Sequence, residues 1–180
     1  LLVVVGIIFF FAPSLISWIV FGFENSKQES TILLTRIMLI SPILLGFSGI
    51  LGGILNSYKK FLFYSLAPIF YNIGIIIGAV FLVEMFGIQG LAYGVVLGAF
   101  LHLLVQLPEV IRCGFHFKLD FKFKDSNLKK VITLMIPRTM SLAVVQINFL
   151  IVTILASTLE SGSLAIFNLA NNIQSVPLGI

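Results

Sequence analysis

Charge is scarce in this chain. Asp, Glu, Lys and Arg make up 10% of its 180 residues, against about a quarter in soluble domains. With 59% hydrophobic residues and a mean hydropathy of +1.13, that deficit excludes a soluble globular domain and specifies an integral membrane protein. Cysteine is nearly absent. The single Cys113 excludes an internal disulfide and a cysteine-built metal site. The net charge of +4 is no signal for nucleic acid, because the cations cluster beside apolar runs, where they set topology. The carboxylates Glu24, Glu29, Glu84, Glu109 and Glu160 fall near run ends. They form no paired site, no histidine-rich metal spacing occurs, and no nucleophile has a base beside it. The glycines stand at helix-packing intervals and not in a phosphate loop after a strand. No enzyme, cofactor or metal is therefore expected.

What the chain has in quantity is apolar sequence. Six runs, at about 1–22, 32–56, 63–85, 88–112, 130–158 and 163–180, are read as membrane-spanning helices of an all-α polytopic protein. The chain opens inside one apolar run without an initiator Met and stops inside another, so it reads as an internal piece of a longer protein. The opening run has no basic n-region or small-residue cleavage site, unlike a signal peptide. It ends at Trp18, Phe21 and Phe23, which suit an interface belt.

The second run carries Arg36 near its start. It is expected to snorkel to the headgroups, a functional cation being the alternative. Gly46, Gly49 and Gly53 then line one face, where another backbone can come close. The third run holds Pro68, a candidate kink, followed by Gly74 and Gly78. In the fourth, Gly90, Gly94, Gly98, His102 and Gln106 recur every four residues. The first three make a packing stripe. His102 is read as a packing histidine with its hydrogen bonds satisfied, the rival reading being a proton relay.

A long polar stretch follows, Arg112–Lys130. Phe115, Phe117, Leu119, Phe121 and Phe123 alternate with His116, Lys118, Asp120, Lys122 and Lys124. The alternation suits an extended ribbon on the membrane surface, or a solvated linker whose charges set topology. Ser126 or Asn127 could cap the next helix. Lys59-Lys60 and this segment lie on one side, separated by two spans. By the positive-inside rule that side is cytoplasmic.

The run Met135–Leu159 is long enough to cross a bilayer but is not uniformly apolar. Thr139, Ala143, Gln146, Thr153 and Ser157 share one helical face, and Asn148 stands nearly opposite Gln146. Lipid cannot hydrogen-bond these groups, so the helix should lie inside a bundle. They serve either as glue between helices or as a polar pathway. The last run opens at Ser161-Gly162-Ser163, a candidate cap. It carries Asn168, Asn171, Asn172 and Ser175 on one side, with Pro177 interrupting it.

Four stretches carry a family resemblance: LTRIMLISPILLGFSGILGGILNSYKKF (Leu34–Phe61), LAPIFYNIG (Leu66–Gly74), GIQGLAYGVVLGAFLHLLVQLP (Gly87–Pro108) and LMIPRTMSLAVVQINFLIVTILASTLESGSLAIFNLANNIQSVPLGI (Leu134–Ile180). Through them the chain resembles the MurJ/MviN family of lipid II flippases, in the MATE-like exporter superfamily. The resemblance implies a two-lobed fold of about fourteen helices, of which the six runs would be the third to the eighth. Residues 1–124 would end the first lobe and include the basic linker, and residues 125–180 would begin the second.

The implied activity moves undecaprenyl-pyrophosphate-linked peptidoglycan precursor across the bacterial inner membrane by alternating access. Implied partners are that precursor, membrane lipids and proteins of cell-wall synthesis. Gln146, Asn148, Thr153, Asn168, Asn171, Asn172 and Ser175 would line the cavity or join helices. Two positions depart from the family pattern. Members often have Arg where Asn172 stands, so any anion contact here lacks that charge. Some place an Asp, proposed as a sodium ligand, where Val152 stands, and Val152 cannot ligate a cation. Rival readings are an exporter of another lipid-linked glycan, a scaffold that kept the fold without transport, and a membrane enzyme acting on the same lipid.

Overall fold

The computed structural model describes residues 1–115, 126–159 and 162–178, without the side chains of 126–128 and 174–178. The described residues are helical almost throughout: α1 (Leu2–Ile19), α2 (Asn25–Met38), α3 (Ile40–Ser57), α4 (Phe61–Ile77), a π-helical turn (Gly78–Leu82), α5 (Val83–Phe86), α6 (Gln89–Arg112), α7 (Ser126–Ser157) and α8 (Ser163–Leu178). Within them, five stretches are long and apolar enough to cross a membrane: Leu2–Ile19, Asn25–Ser57, Phe61–Phe86, Gln89–Arg112 and Lys129–Ser157. The sixth expected span is represented by the 16 residues of α8. The ribbon expected over Phe115–Lys124 falls, after its first residue, outside the described residues. So do Ser161, and the side chains of Ser126 and Asn127 offered as caps.

Local chemistry explains the breaks. Pro42 has no N–H to donate to Met38 and crowds that carbonyl. The second run accordingly divides at Leu39 into α2 and α3. Pro68, by contrast, lies inside α4, which continues to Ile77. The departure from α geometry comes later, where the Val83 N–H bonds the Gly78 carbonyl across a wide π turn. The α3–α4 corner is closed by backbone bonds from Lys59 N–H to Asn56 O at 3.0 Å and Lys60 N–H to Leu55 O at 2.8 Å. Lys59 takes a left-handed φ of 58° to make it, the conformation that usually ends a helix at glycine.

The chain forms two compact units. Leu1–Pro13 with Glu29–Lys118 makes the first, and Ser14–Gln28 with Leu119–Ile180 the second. The first unit is built on α3, α4 and α6. Its apolar centre is Leu51, Leu55 and Val110, with Ile54, Phe63, Leu103, Leu107 and Phe115 packed around it. Small residues let α4 and α6 touch backbone to backbone. A Cβ at Gly74 would fall on the Gly98 backbone, one at Gly78 on Gly94, and one at Gly90 on the Leu82 carbonyl. The π turn thus lies where Gly90 leaves room for it.

The α3 glycines behave differently from the expected close-packing face. Gly46 meets the Leu1 side chain, while a Cβ at Gly49 or Gly53 would meet nothing within 4 Å. The buried face of α3 is Ser41, Ser48, Leu51, Gly52 and Leu55, and it is this face that meets α6, through Ser48 to His102 and Gly52 to Gln106.

In the second unit the end of α1 and the loop after it lie against the end of α7. A Cβ at Gly22 would come within 2.9 Å of Thr158 Cα and still closer to the Ser157 backbone. This close approach groups Ser14–Gln28 with the helices after residue 124 and not with the start of the chain. Gln28 closes the same loop, its Nε2 donating to Val20 O at 3.2 Å and Phe23 O at 3.0 Å.

Candidate functional site

Polar groups sit at two places. The first lies within the α3–α4–α6 unit. His102, Gln106 and Glu109 follow one another at four- and three-residue steps, so they share a face of α6. Their neighbours come from the other two helices. Ser48 Oγ, fully buried on α3, lies 2.6 Å from His102 Nδ1 and 3.3 Å from the His102 carbonyl. Tyr71 of α4 meets the imidazole edge to face, with centroids 6.3 Å apart. His102 is therefore tied into helix packing by a side-chain hydrogen bond.

One turn on, Gln106 is 1% exposed, and its Oε1 has no hydrogen-bond donor among the described residues. Gly52 of α3 and the Tyr64 ring of α4 lie around it. Glu109 follows, 6% exposed. Its Oε1 is 3.1 Å from Lys60 Nζ and its Oε2 3.5 Å from Arg112 Nη1. A half-exposed lysine and a largely exposed arginine thus meet one buried carboxylate where α6 ends and the α3–α4 corner passes.

Sequence reading grouped His102 with Gln106 but missed Ser48, which stands between Gly46 and Gly49 and looks like one more small residue. It also left Glu109 as a charge at a run end. The signal for Glu109 was its spacing from Gln106, on the same face as the glycine stripe.

The second place is the polar face of α7 and α8. Thr153 Oγ1 donates to Phe149 O at 2.8 Å, and buried Ser157 Oγ to Ile154 O at 2.7 Å. Both hydroxyls are satisfied by their own helix. Gln146, Asn148, Asn168 and Asn172 are exposed, and Asn171 is half-buried. The Ser175 side chain lies outside the described residues. Within its unit most described side chains of α7 are exposed. The unit does enclose a cavity of about 260 Å³, but around Gly22, Glu24, Lys27, Ser157 and Gly162. Asn148, Asn168, Asn171 and Asn172 do not line it.

Helices this apolar, with Phe10, Trp18, Phe81 and Met85 all turned outward, define an all-α, multi-pass membrane protein whose helices carry neutral polar faces. The family model described as "Lipid II flippase MurJ" matches residues 1–180. The chain belongs to the MurJ lipid II flippase family. It is 33% identical over 168 residues to a Vibrio cholerae protein named "Probable lipid II flippase MurJ", covering 92% of this chain and 32% of that one. A Buchnera aphidicola relative of the same name is 34% identical over 176 residues, with 95% and 34% covered. The "Lipid II flippase MurJ" of Burkholderia cenocepacia is 27% identical over 176 residues, with 91% and 34% covered. The chain thus spans about a third of the length of the curated relatives it matches.

Proposed function

We propose that this chain forms part of a flippase that carries undecaprenyl-pyrophosphate-linked peptidoglycan precursor across the bacterial inner membrane. The observation that supports it most is the family match over residues 1–180. The chemistry agrees with it. A helix apolar enough to span a bilayer carries Gln146 and Asn148 exposed on opposite sides. Such groups are costly against lipid and useful against a polar cargo.

In this reading the lobes divide near residue 124 and alternate their access between the two faces of the membrane. The α3–α4–α6 unit moves as a rigid piece, since backbones in contact through Gly74–Gly98 and Gly78–Gly94 cannot slide without clash. Gln146, Asn148, Thr153, Asn168, Asn171, Asn172 and Ser175 contribute hydrogen bonds to cargo, water or a partner helix. Lys59, Lys60 and Arg112 mark the cytoplasmic face. The relevant partners are the lipid-linked precursor, membrane lipids and proteins of cell-wall synthesis.

The test uses the full-length protein in cells depleted of their own lipid II flippase, with a membrane-impermeant probe for lipid II on the outer face. Restored exposure is the expected result. An inserted, abundant protein that restores none would redirect the assignment to another cargo or to a scaffold.

A further inference from the structure

Arg36 is a charged residue in mostly apolar surroundings, and the lobe chemistry above gives it no work. Its guanidinium lies over the Phe9 ring of α1, 5.1 Å from the centroid. Its Nε is buried and has no acceptor among the described residues. Neither α1 nor α3 has a carboxylate, and Glu29, the one on α2, makes no ion pair with it. Arg36 is half-buried, and it is the Nε edge of its guanidinium that is turned away from water and short of an acceptor.

Beside it lies an open cavity of about 320 Å³, lined by Leu2, Val5, Gly6 and Phe9 of α1 and by Leu39, Ile40 and Ile43 at the α2–α3 break. Apart from Arg36 the lining is aliphatic or aromatic. Pro42 creates this recess, since the helix break it forces sits at Leu39, next to the arginine. Depth matters too. The 18 residues of α3 alone rise about 27 Å, so the α2–α3 break beside Arg36 lies nearly the thickness of the hydrocarbon core, about 30 Å, from the Lys59-Lys60 corner. Arg36 belongs at the opposite headgroup boundary, with the apolar cavity beside it.

We propose that Arg36 and this cavity form a binding site for one net-anionic bilayer phospholipid of the phosphatidylglycerol class, in the leaflet opposite Lys59 and Lys60. The guanidinium takes the phosphate through two parallel N–H donors. An acyl chain lies along Gly6, Val5 and Ile43. One unpaired positive charge matches one net negative headgroup. The cavity is at the small end of ligand sites, which suits a single acyl segment and not the bulky sugar and peptide head of the cargo. The lipid would then brace α1 against the α2–α3 break, beside the Phe9–Arg36 contact.

The experiment is native mass spectrometry of the purified full-length protein, titrated separately with phosphatidylglycerol, phosphatidylcholine and undecaprenyl pyrophosphate. The wild type is expected to retain one phosphatidylglycerol in preference to phosphatidylcholine. Arg36→Gln should weaken that retention about tenfold, the loss of a charge-assisted pair. Gly6→Leu should weaken it similarly by filling the cavity. A Cβ at Gly6 meets nothing within 4 Å, so this variant keeps the test sharp if Arg36→Gln fails to fold. Undiminished phosphatidylglycerol retention in either folded variant overturns the proposal. So does equal retention of phosphatidylcholine, or preferential retention of undecaprenyl pyrophosphate lost with Arg36→Gln. Retention is read without transport, so the outcome is independent of whether the protein moves lipid II.

Discussion

Lys60 Nζ sits 3.1 Å from Glu109 Oε1, joining the α3–α4 corner to the end of α6. The carboxylate is buried while the ammonium is half exposed, so the pair is asymmetric. Removing the cation leaves a buried anion with only the longer Arg112 contact. Lys60→Met should cost about 1–2 kcal/mol, less than a fully buried pair because water reaches the lysine. Glu109→Gln should cost less, since it leaves no buried charge. Thermal unfolding of the detergent-solubilised full-length protein ranks the two. The opposite order would mean that the ion pair does not hold this corner.

Glycine substitutions should separate contact from mere spacing. Gly98→Val pushes a side chain into the facing backbone of α4, and Gly94→Val into that of the π turn at Gly78; each should cost about 1–3 kcal/mol or prevent folding. Gly49→Ala and Gly53→Ala meet open space and should be neutral or slightly stabilising, as alanine favours the helix by up to about 1 kcal/mol. Equal damage at all four positions would show that α3 has a close neighbour at Gly49 and Gly53.

Ser48 and His102 form a hydrogen bond across α3 and α6 with the hydroxyl fully buried. Ser48→Ala strands the imidazole nitrogen and should cost about 1–3 kcal/mol. The Ser48→Ala/His102→Phe double variant should be less damaged than the sum of its single changes, because removing both partners leaves nothing unpaired. A double-mutant cycle with zero coupling would argue that the contact contributes nothing.

Gln106 offers the reverse case. Its Oε1 is buried without a donor among the described residues. Gln106→Met keeps the length of the side chain and removes the amide. It should be neutral or raise stability by up to about 1 kcal/mol. A loss of several degrees in unfolding temperature, without loss of lipid II exposure, would indicate a donor bound at that oxygen in the membrane.

Cargo contact is tested on the second polar face. Asn171→Leu/Asn172→Leu should abolish outer-face lipid II exposure while leaving the inserted amount unchanged. Full transport by this double variant would remove both residues from the cavity.

Composition and periodicity alone established that the chain is an all-α membrane protein, where its apolar runs lie, and that Gly90, Gly94 and Gly98 share a face. Each follows from local rules. Spanning lipid demands that the backbone bond to itself, and a four-residue step returns to the same side of a helix. The family was legible too, through motifs spread over most of the chain. Three features needed the tertiary structure. Gly49 and Gly53 have the same spacing as the α6 stripe, yet a Cβ at either would meet nothing within 4 Å among the described residues, because a stripe packs only where a second backbone passes. Ser48 became the partner of His102 although the two are 54 residues apart, and Arg36 came to lie over Phe9 through the break at Leu39. Periodicity reports which side of one helix a residue occupies. Which other helix stands there depends on how the breaks at Pro42, Lys59 and the π turn aim each helix at the next, and that is decided by packing.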